Sequence, residues 1–294
     1  MFVAALERAI AFTRPIHSIV RFYRSSEIQP GAATLFFVNA DGWALTCRHV
    51  AQQLAASDQL LAKFNDFKTK RVAIKGQKKE KNLLREVERQ FGFGPRTVVE
   101  VYNNFMNCVD GPLQAEMKLH PELDVALIRF LNYKTLLCAN FPVFAKNDAD
   151  LKQGKFLCRL GFPFPEFTNF AYDLASDKIH WTTSGRIDTP TFPIEGMVTR
   201  HLLGPGGAVV GFELSTPGLR GQSGGPAFDV DGRVWGMQSG TNHLDLDFDV
   251  DMQVVRNGQK TNIKNHAVLH VGHCLHVSEL KQFMRLHSVQ FQEG

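Results

Sequence analysis

In Gly221-Gln222-Ser223-Gly224-Gly225-Pro226 a single serine stands among glycines. Glycines let a chain turn sharply, so a serine held between them can expose its hydroxyl while neighbouring N–H groups converge on one point. Acyl transfer needs that arrangement. The amides of Gly221 and Ser223 would face the oxygen of a tetrahedral intermediate, each donor being worth roughly 3 kcal/mol of barrier. A serine hydroxyl is a weak nucleophile near neutral pH, and histidine is the natural base for it. Of the eleven histidines, His49 in Thr46-Cys47-Arg48-His49-Val50 follows a strand and opens a helical stretch, a place from which an imidazole reaches a cleft. The ring then needs a carboxylate on its other nitrogen to fix the tautomer. Asp124, in Glu122-Leu123-Asp124-Val125-Ala126-Leu127-Ile128, sits at the lip of an apolar strand and fits that role.

Taken together and in this chain order, Thr46–Val50, Asp124–Ile128 and Gly221–Pro226 resemble the His, Asp and Ser signatures of the trypsin-like (chymotrypsin-fold) serine peptidases. The likeness spans about Ser18–Leu286 and is nearest to bacterial Deg/HtrA-like and intracellular trypsin-like peptidase domains without a PDZ domain. It implies an all-β fold of two six-stranded antiparallel Greek-key barrels, with a C-terminal helix and a helical basic insertion in the first barrel. It also implies a triad of Ser223 as nucleophile, His49 as base and Asp124 as its orienting acid, with Gly221 and Ser223 forming the oxyanion hole. Substrate would rest on Pro217, Leu219, Ser239, Gly240 and Thr241. No carboxylate occupies the expected floor of the specificity pocket, so a small or medium apolar P1 residue is expected. Departures from the secreted enzymes are the missing Ile-Val-Gly-Gly activation segment, Val50 where a disulfide cysteine usually follows the histidine, and a long basic insertion between His49 and Asp124.

The elements that must position these groups are short. Val3, Leu6, Ile10 and Ala11 predict an amphipathic helix within Met1–Phe12, limited by Pro15. Ser18–Tyr23 and Ala33–Asn39 read as strands, and Ala40-Asp41-Gly42 as a tight turn into Trp43–Thr46. Val50–Ala56 predicts one or two helical turns, Lys70–Lys75 a strand, and Lys79–Phe91 a basic helix with Leu83, Leu84, Val87 and Phe91 on one stripe. Thr97–Tyr102, Ala115–Leu119 and Val125–Phe130 follow as strands. Leu131–Gln153 is the connection between halves, giving an expected division into 1–140, with the basic insertion 62–96, and 141–294 as two barrels of one protease domain. In the second half Phe156–Leu160, Lys178–Gly185, Met197–Leu203, Ala208–Glu213, Pro226–Asp229, Val234–Ser239 and Ala267–His270 read as strands. Leu275–Leu286 reads as a helix capped by Ser278.

Composition narrows the function classes. The formal charge is +4, but Ala62–Arg96 alone holds 11 Lys and Arg against 4 Asp and Glu, so the basic character is local and no aromatic ladder for nucleic acid accompanies it. The five cysteines, at 47, 108, 138, 158 and 274, lack paired short spacing, which predicts free thiols. With Glu7, Arg8 and Arg14 breaking the N-terminal apolar run and no segment of membrane-spanning length, a cytoplasmic protein is expected. His270, His273, Cys274 and His276 match no standard zinc spacing, and Asp245–Asp251 reads as an exposed strand or plain loop rather than a calcium site. No metal or other cofactor is expected. The resulting expectation is a serine endopeptidase acting on polypeptides through an acyl-enzyme. The competing reading is a latent or silent peptide-binding module that depends on a regulatory protein partner.

Overall fold

The computed structural model describes residues 1–294. Helix α1 (Val3–Phe12) buries Ala5, Ala9 and Phe12, spaced as one helical stripe. The chain then passes straight into β1 (Thr13–Phe22), where Pro15 is compatible with extended backbone and not with a helix interior. Strands β2 (Ile28–Phe37) and β3 (Trp43–Thr46) form a hairpin around Gly42, whose φ is 77°. Helices α2 (Arg48–Ile74) and α3 (Glu80–Phe91) come next, followed by β4 (Val98–Phe105), β5 (Val109–Asp110), β6 (Gln114–Leu119), β7 (Ala126–Leu131), β8 (Thr135–Leu136) and β9 (Val143–Phe144). Six of these strands build the first antiparallel sheet, in the order β4-β1-β2-β3-β7-β6. It curls around Leu35, Phe37, Ala44, Leu127 and Phe130, and no ladder joins its edge strands β4 and β6.

The second half contains β10 (Phe156–Gly161), β11 (Phe170–Asp173), β12 (Lys178–Trp181), β13 (Phe192–Leu203), β14 (Val209–Leu214), β15 (Pro226–Phe228), β16 (Arg233–Arg256) and β17 (Gln259–His276). Helix α4 (Val277–Leu286) and β18 (Gln292–Glu293) complete the chain. The order β15-β10-β13-β14-β17-β16 is closed by a further β15–β16 ladder, so each of the six strands has two neighbours within the barrel, and β9 adds to β16 from outside it. The two-barrel architecture of the chymotrypsin type is therefore the observed fold. A single cluster of 31 buried residues joins the halves, running from Phe36 and Leu45 to Phe228, Met237 and Leu275 and under α1 and α4.

Four local features differ from expectation. Helix α2 runs 27 residues and absorbs the segment Lys70–Lys75 predicted as a strand. No glycine or proline interrupts it, and Val50, Leu54, Ser57, Phe64 and Phe67 are buried at helical spacing. Phe64 and Phe67 pack with Tyr23 and Val99, while Leu84, Val87, Phe91 and Phe93 cover them, so the basic insertion is a helical hairpin with its own aromatic core. The strand expected at Lys178–Gly185 is only β12, paired with β11 in a hairpin outside the barrels. Strands β16 and β17 extend beyond the barrel as a two-stranded arm, turned by Asn257-Gly258 at φ 50° and 77°. The acidic stretch Asp245–Asp251 lies on that arm. Finally, His276 rather than Ser278 caps α4, its Nδ1 accepting the Ser278 N–H at 3.3 Å.

Candidate active site

Strand β3 delivers the chain to Cys47, the extended N-cap of α2, and His49 follows on the first turn of that helix. Asp124 precedes β7, the strand that pairs with β3 through Thr46↔Ala126. This register puts the ends of two neighbouring strands side by side and brings residues 75 apart in sequence into contact. Asp124 accepts twice from His49. Its Oδ1 takes the backbone N–H at 3.0 Å, and its Oδ2 takes Nδ1–H at 2.8 Å. A carboxylate only accepts, so Nδ1 carries the proton and Nε2 is left as the basic nitrogen. The pair is half-open to solvent, and Nε2 has no partner within the protein.

Ser223 sits on the turn between β14 and β15. Gly221 and Gly224 have φ of 90° and 89°, the left-handed region where other side chains are strained. At Gly224 the requirement is also steric. A Cβ there would strike the Thr34 carbonyl and come within 2.5 Å of Thr46 Oγ1. The turn is pressed onto the first sheet by the Thr34 N–H donating to Ser223 O at 3.0 Å and by Thr34 Oγ1 donating to Gly221 O at 2.6 Å. Gln222, fully buried, staples it from the other side by accepting from Leu219 N–H at 3.1 Å and donating to Phe192 O at 3.2 Å. The local sequence carries no signal for this positioning role of Gln222, whose partners come from other segments. Neither the Gly221 nor the Ser223 amide donates to any protein group, so both are free for an incoming oxygen. The Ser223 hydroxyl likewise makes no hydrogen bond, and none spans Ser223 and His49.

Ser223 opens onto a cavity of about 640 Å³ that is also lined by Pro217, Leu219, Gly240 and Thr241, four of the five residues expected to carry substrate. Ser239 is not among the lining residues. It stands at the register shift between Gln238 and Gly240, and its hydroxyl turns inward to His273, 3.1 Å from Nδ1. The lining is mostly polar, against which the expected small or medium apolar P1 residue is to be weighed. Leu219 and the Pro217 ring are its only apolar side chains, while Arg220, Gln238, His243 and His270 contribute polar groups. Thr241 Oγ1 donates to Gly218 O at 2.7 Å and clasps the two walls together.

Cys47, His49 and Asp124 bring ligand-type atoms within 4.8 Å of one another. Burial raises the Cys47 thiol well above its ordinary range and the nearby Asp124 charge adds to this, so it keeps its proton there. The four residues that invited a metal reading scatter. His270 meets His243 across the arm, His273 meets Ser239, Cys274 is buried against Gln238, and His276 caps α4. All five cysteines are free and buried. No helix is long and apolar enough to cross a membrane.

Solved structures that resemble the chain include an HtrA-type protease, AlgW, with a tripeptide (11% identity, TM-score 0.47). The match covers 97% of this chain and 62% of that one, less than two thirds of its length. Another is the Rv3671c protease from M. tuberculosis in its active form (13% identity, TM-score 0.49), covering 99% of this chain and 86% of that one. No curated protein matches in sequence. The family model described as the trypsin-like peptidase domain matches residues 33–237, which include His49, Asp124 and Ser223 and make up more than half of the chain. The chain belongs to the trypsin-like peptidase domain family.

Proposed function

We propose that the protein is a serine endopeptidase in which Ser223 is the nucleophile, His49 the general base and Asp124 the group that orients it. The observation that carries this reading is the double hold of Asp124 on His49, which leaves Nε2 without a protein partner on a helix whose N-cap, Cys47, shares the Gln238 carbonyl with Gly224 beside Ser223. In the proposed cycle Ser223 Oγ attacks the substrate carbonyl as Nε2 takes its proton. The oxyanion is received by the N–H groups of Gly221 and Ser223. Collapse of the intermediate expels the amine, which takes the proton back from His49 and leaves an acyl-enzyme for water to hydrolyse. Polypeptide is the substrate class. The five buried free thiols suit a reducing compartment such as the cytoplasm.

The clasp between Thr241 and Gly218 and the unengaged Ser223 hydroxyl favour a second reading, in which a regulatory protein partner must open the walls before the triad forms. One experiment separates the two. The purified chain is treated with a fluorophosphonate probe beside Ser223→Ala and His49→Ala, and the intact mass is read. Labelling of the wild type alone supports the endopeptidase. An unlabelled but folded wild type supports the latent or silent module.

A further inference from the structure

The cavity beside Ser223 contains no acidic side chain, and basic and donor groups surround it. Arg220 is exposed on its rim and makes neither an ion pair nor a side-chain hydrogen bond. His243 and His270 face each other across the arm with their Nδ1 atoms 2.5 Å apart, so one ring donates to the other; between neutral rings the accepting ring keeps an Nε2–H for a ligand and the donating ring keeps an Nε2 lone pair. The carboxylates of Glu213 and Asp124 are already engaged. Glu213 is held by Arg200 and by Asn242 Nδ2 at 2.6 Å, and Asp124 is held by His49.

Behind the wall lies Arg159, a fully buried arginine with no carboxylate within ion-pair distance. Its Nη2 donates to Thr216 O at 3.0 Å, Thr216 Oγ1 at 2.6 Å and Pro217 O at 3.1 Å, and its Nη1 donates to Gln238 Oε1 at 2.7 Å. A buried cation held only by neutral acceptors keeps its field, and the low-dielectric wall carries that field into the cavity. The Gln238 amide extends it. With Oε1 turned to Arg159 and to the Cys274 thiol, Nε2 must point the other way, where it bonds the Gly240 carbonyl and packs on Gly218, both lining residues. The Gln238 amide thus links the buried charge to the cavity wall, with one Nε2–H bonded to the Gly240 carbonyl and the other unused.

We propose that this cavity selects an acidic side chain, Glu or Asp, on the acyl side of the bond that Ser223 attacks. The inference rests on the endopeptidase reading for the identity of the bond, but not for the recognition itself. A carboxylate supplies the counter-charge that Arg159 and Arg220 lack. A lysine or arginine side chain adds a third cation there. An apolar side chain strips water from Arg220, the imidazoles and the Gln238 amide without replacing it, and a glutamine supplies an acceptor without the charge.

The test uses binding, so that the recognition stands or falls apart from the chemistry. Full-length Ser223→Ala is titrated calorimetrically with acetylated hexapeptides that differ only in their last residue: Glu, Gln, Leu or Lys. The Glu peptide is expected to bind at least about 10-fold tighter than Gln and Leu, and Lys weakest. A second protein carries Gln238→Glu as well, which hands Arg159 the carboxylate it lacks at nearly unchanged volume. There the advantage of Glu over Leu should fall at least about 10-fold. Leu, Gln or Lys binding as tightly as Glu overturns the proposal. So do an unchanged preference in folded Gln238→Glu protein and a lack of binding by every peptide. Fluorophosphonate labelling of the wild type is read separately, so an active enzyme with another preference is distinguished from an inactive one.

Discussion

The thiol of Cys47 donates to the carbonyl of Gln238 at 3.3 Å, and the same carbonyl accepts the Gly224 N–H at 2.8 Å. One oxygen of the second barrel is thereby bonded both to the N-cap of the helix that carries His49 and to the turn that carries Ser223. The placement of the two segments relative to each other is thereby tied to the seam between the barrels, the kind of positioning that the proposed proton transfer requires.

Asp124→Asn should leave the fold intact and slow fluorophosphonate labelling and peptide hydrolysis by about 10³–10⁴-fold. An amide in place of the carboxylate no longer forces the proton onto Nδ1, so Nε2 loses its basic form. Labelling rates with matched circular dichroism spectra measure this. A variant that labels at the wild-type rate would remove Asp124 from the mechanism.

Gly224→Ala should destabilise the protein by about 2–4 kcal/mol. It combines a left-handed backbone with a Cβ driven against the Thr34 carbonyl and Thr46. The urea midpoint reads the loss. Gly258→Ala, also at positive φ but with open space around it, should cost about 1 kcal/mol, so the difference isolates the steric part.

Acid should weaken the fold before the carboxylates titrate. Burial pulls the His17 and His276 imidazoles down to about 4, with Asp188 and Asp148 respectively opposing it. Each folded-state value lies below the unfolded value of roughly 6.5, so the unfolded chain binds more protons between the two. The stability these rings contribute is whole above about pH 6.5 and drains away as pH falls towards 4, by roughly 3 kcal/mol each. His17 stacks on Phe167 at 4.2 Å, so His17→Phe should keep the packing and remove about half of this limb when stability is followed from pH 7 to 4, leaving the His276 share.

Native protein at pH 8 should take up no iodoacetamide, and urea-unfolded protein should take up five equivalents. Burial raises every thiol, Cys158 to about 11 and Cys274 to about 12, so thiolate is scarce and inaccessible together. Intact mass spectrometry counts the adducts. Rapid modification of Cys47 in folded protein would show that the seam opens.

Features set by neighbouring residues were legible in the sequence. The β2–β3 hairpin, the emergence of His49 from a strand end, the glycine turn under Ser223 and the terminal helices follow from local alternation, helical spacing and the conformational freedom of glycine. The Asn257-Gly258 turn that makes β16 and β17 one long hairpin is written in the sequence as well, in the residue pair that favours positive φ twice, although Val234–Ser239 and Ala267–His270 read by themselves as separate short strands. What only the tertiary structure decided are the relations between distant segments. The double hold of Asp124 on His49 depends on the register of β3 against β7, and closure of the second barrel depends on β15 meeting β16. Arg159 looked like a strand residue among apolar neighbours, and nothing nearby in the chain shows that it is buried without a counter-charge behind Pro217 and Gln238. Periodicity tells which way a side chain points, but the polarity of a pocket is the sum of groups from several strands, and that sum exists only once the strands are paired.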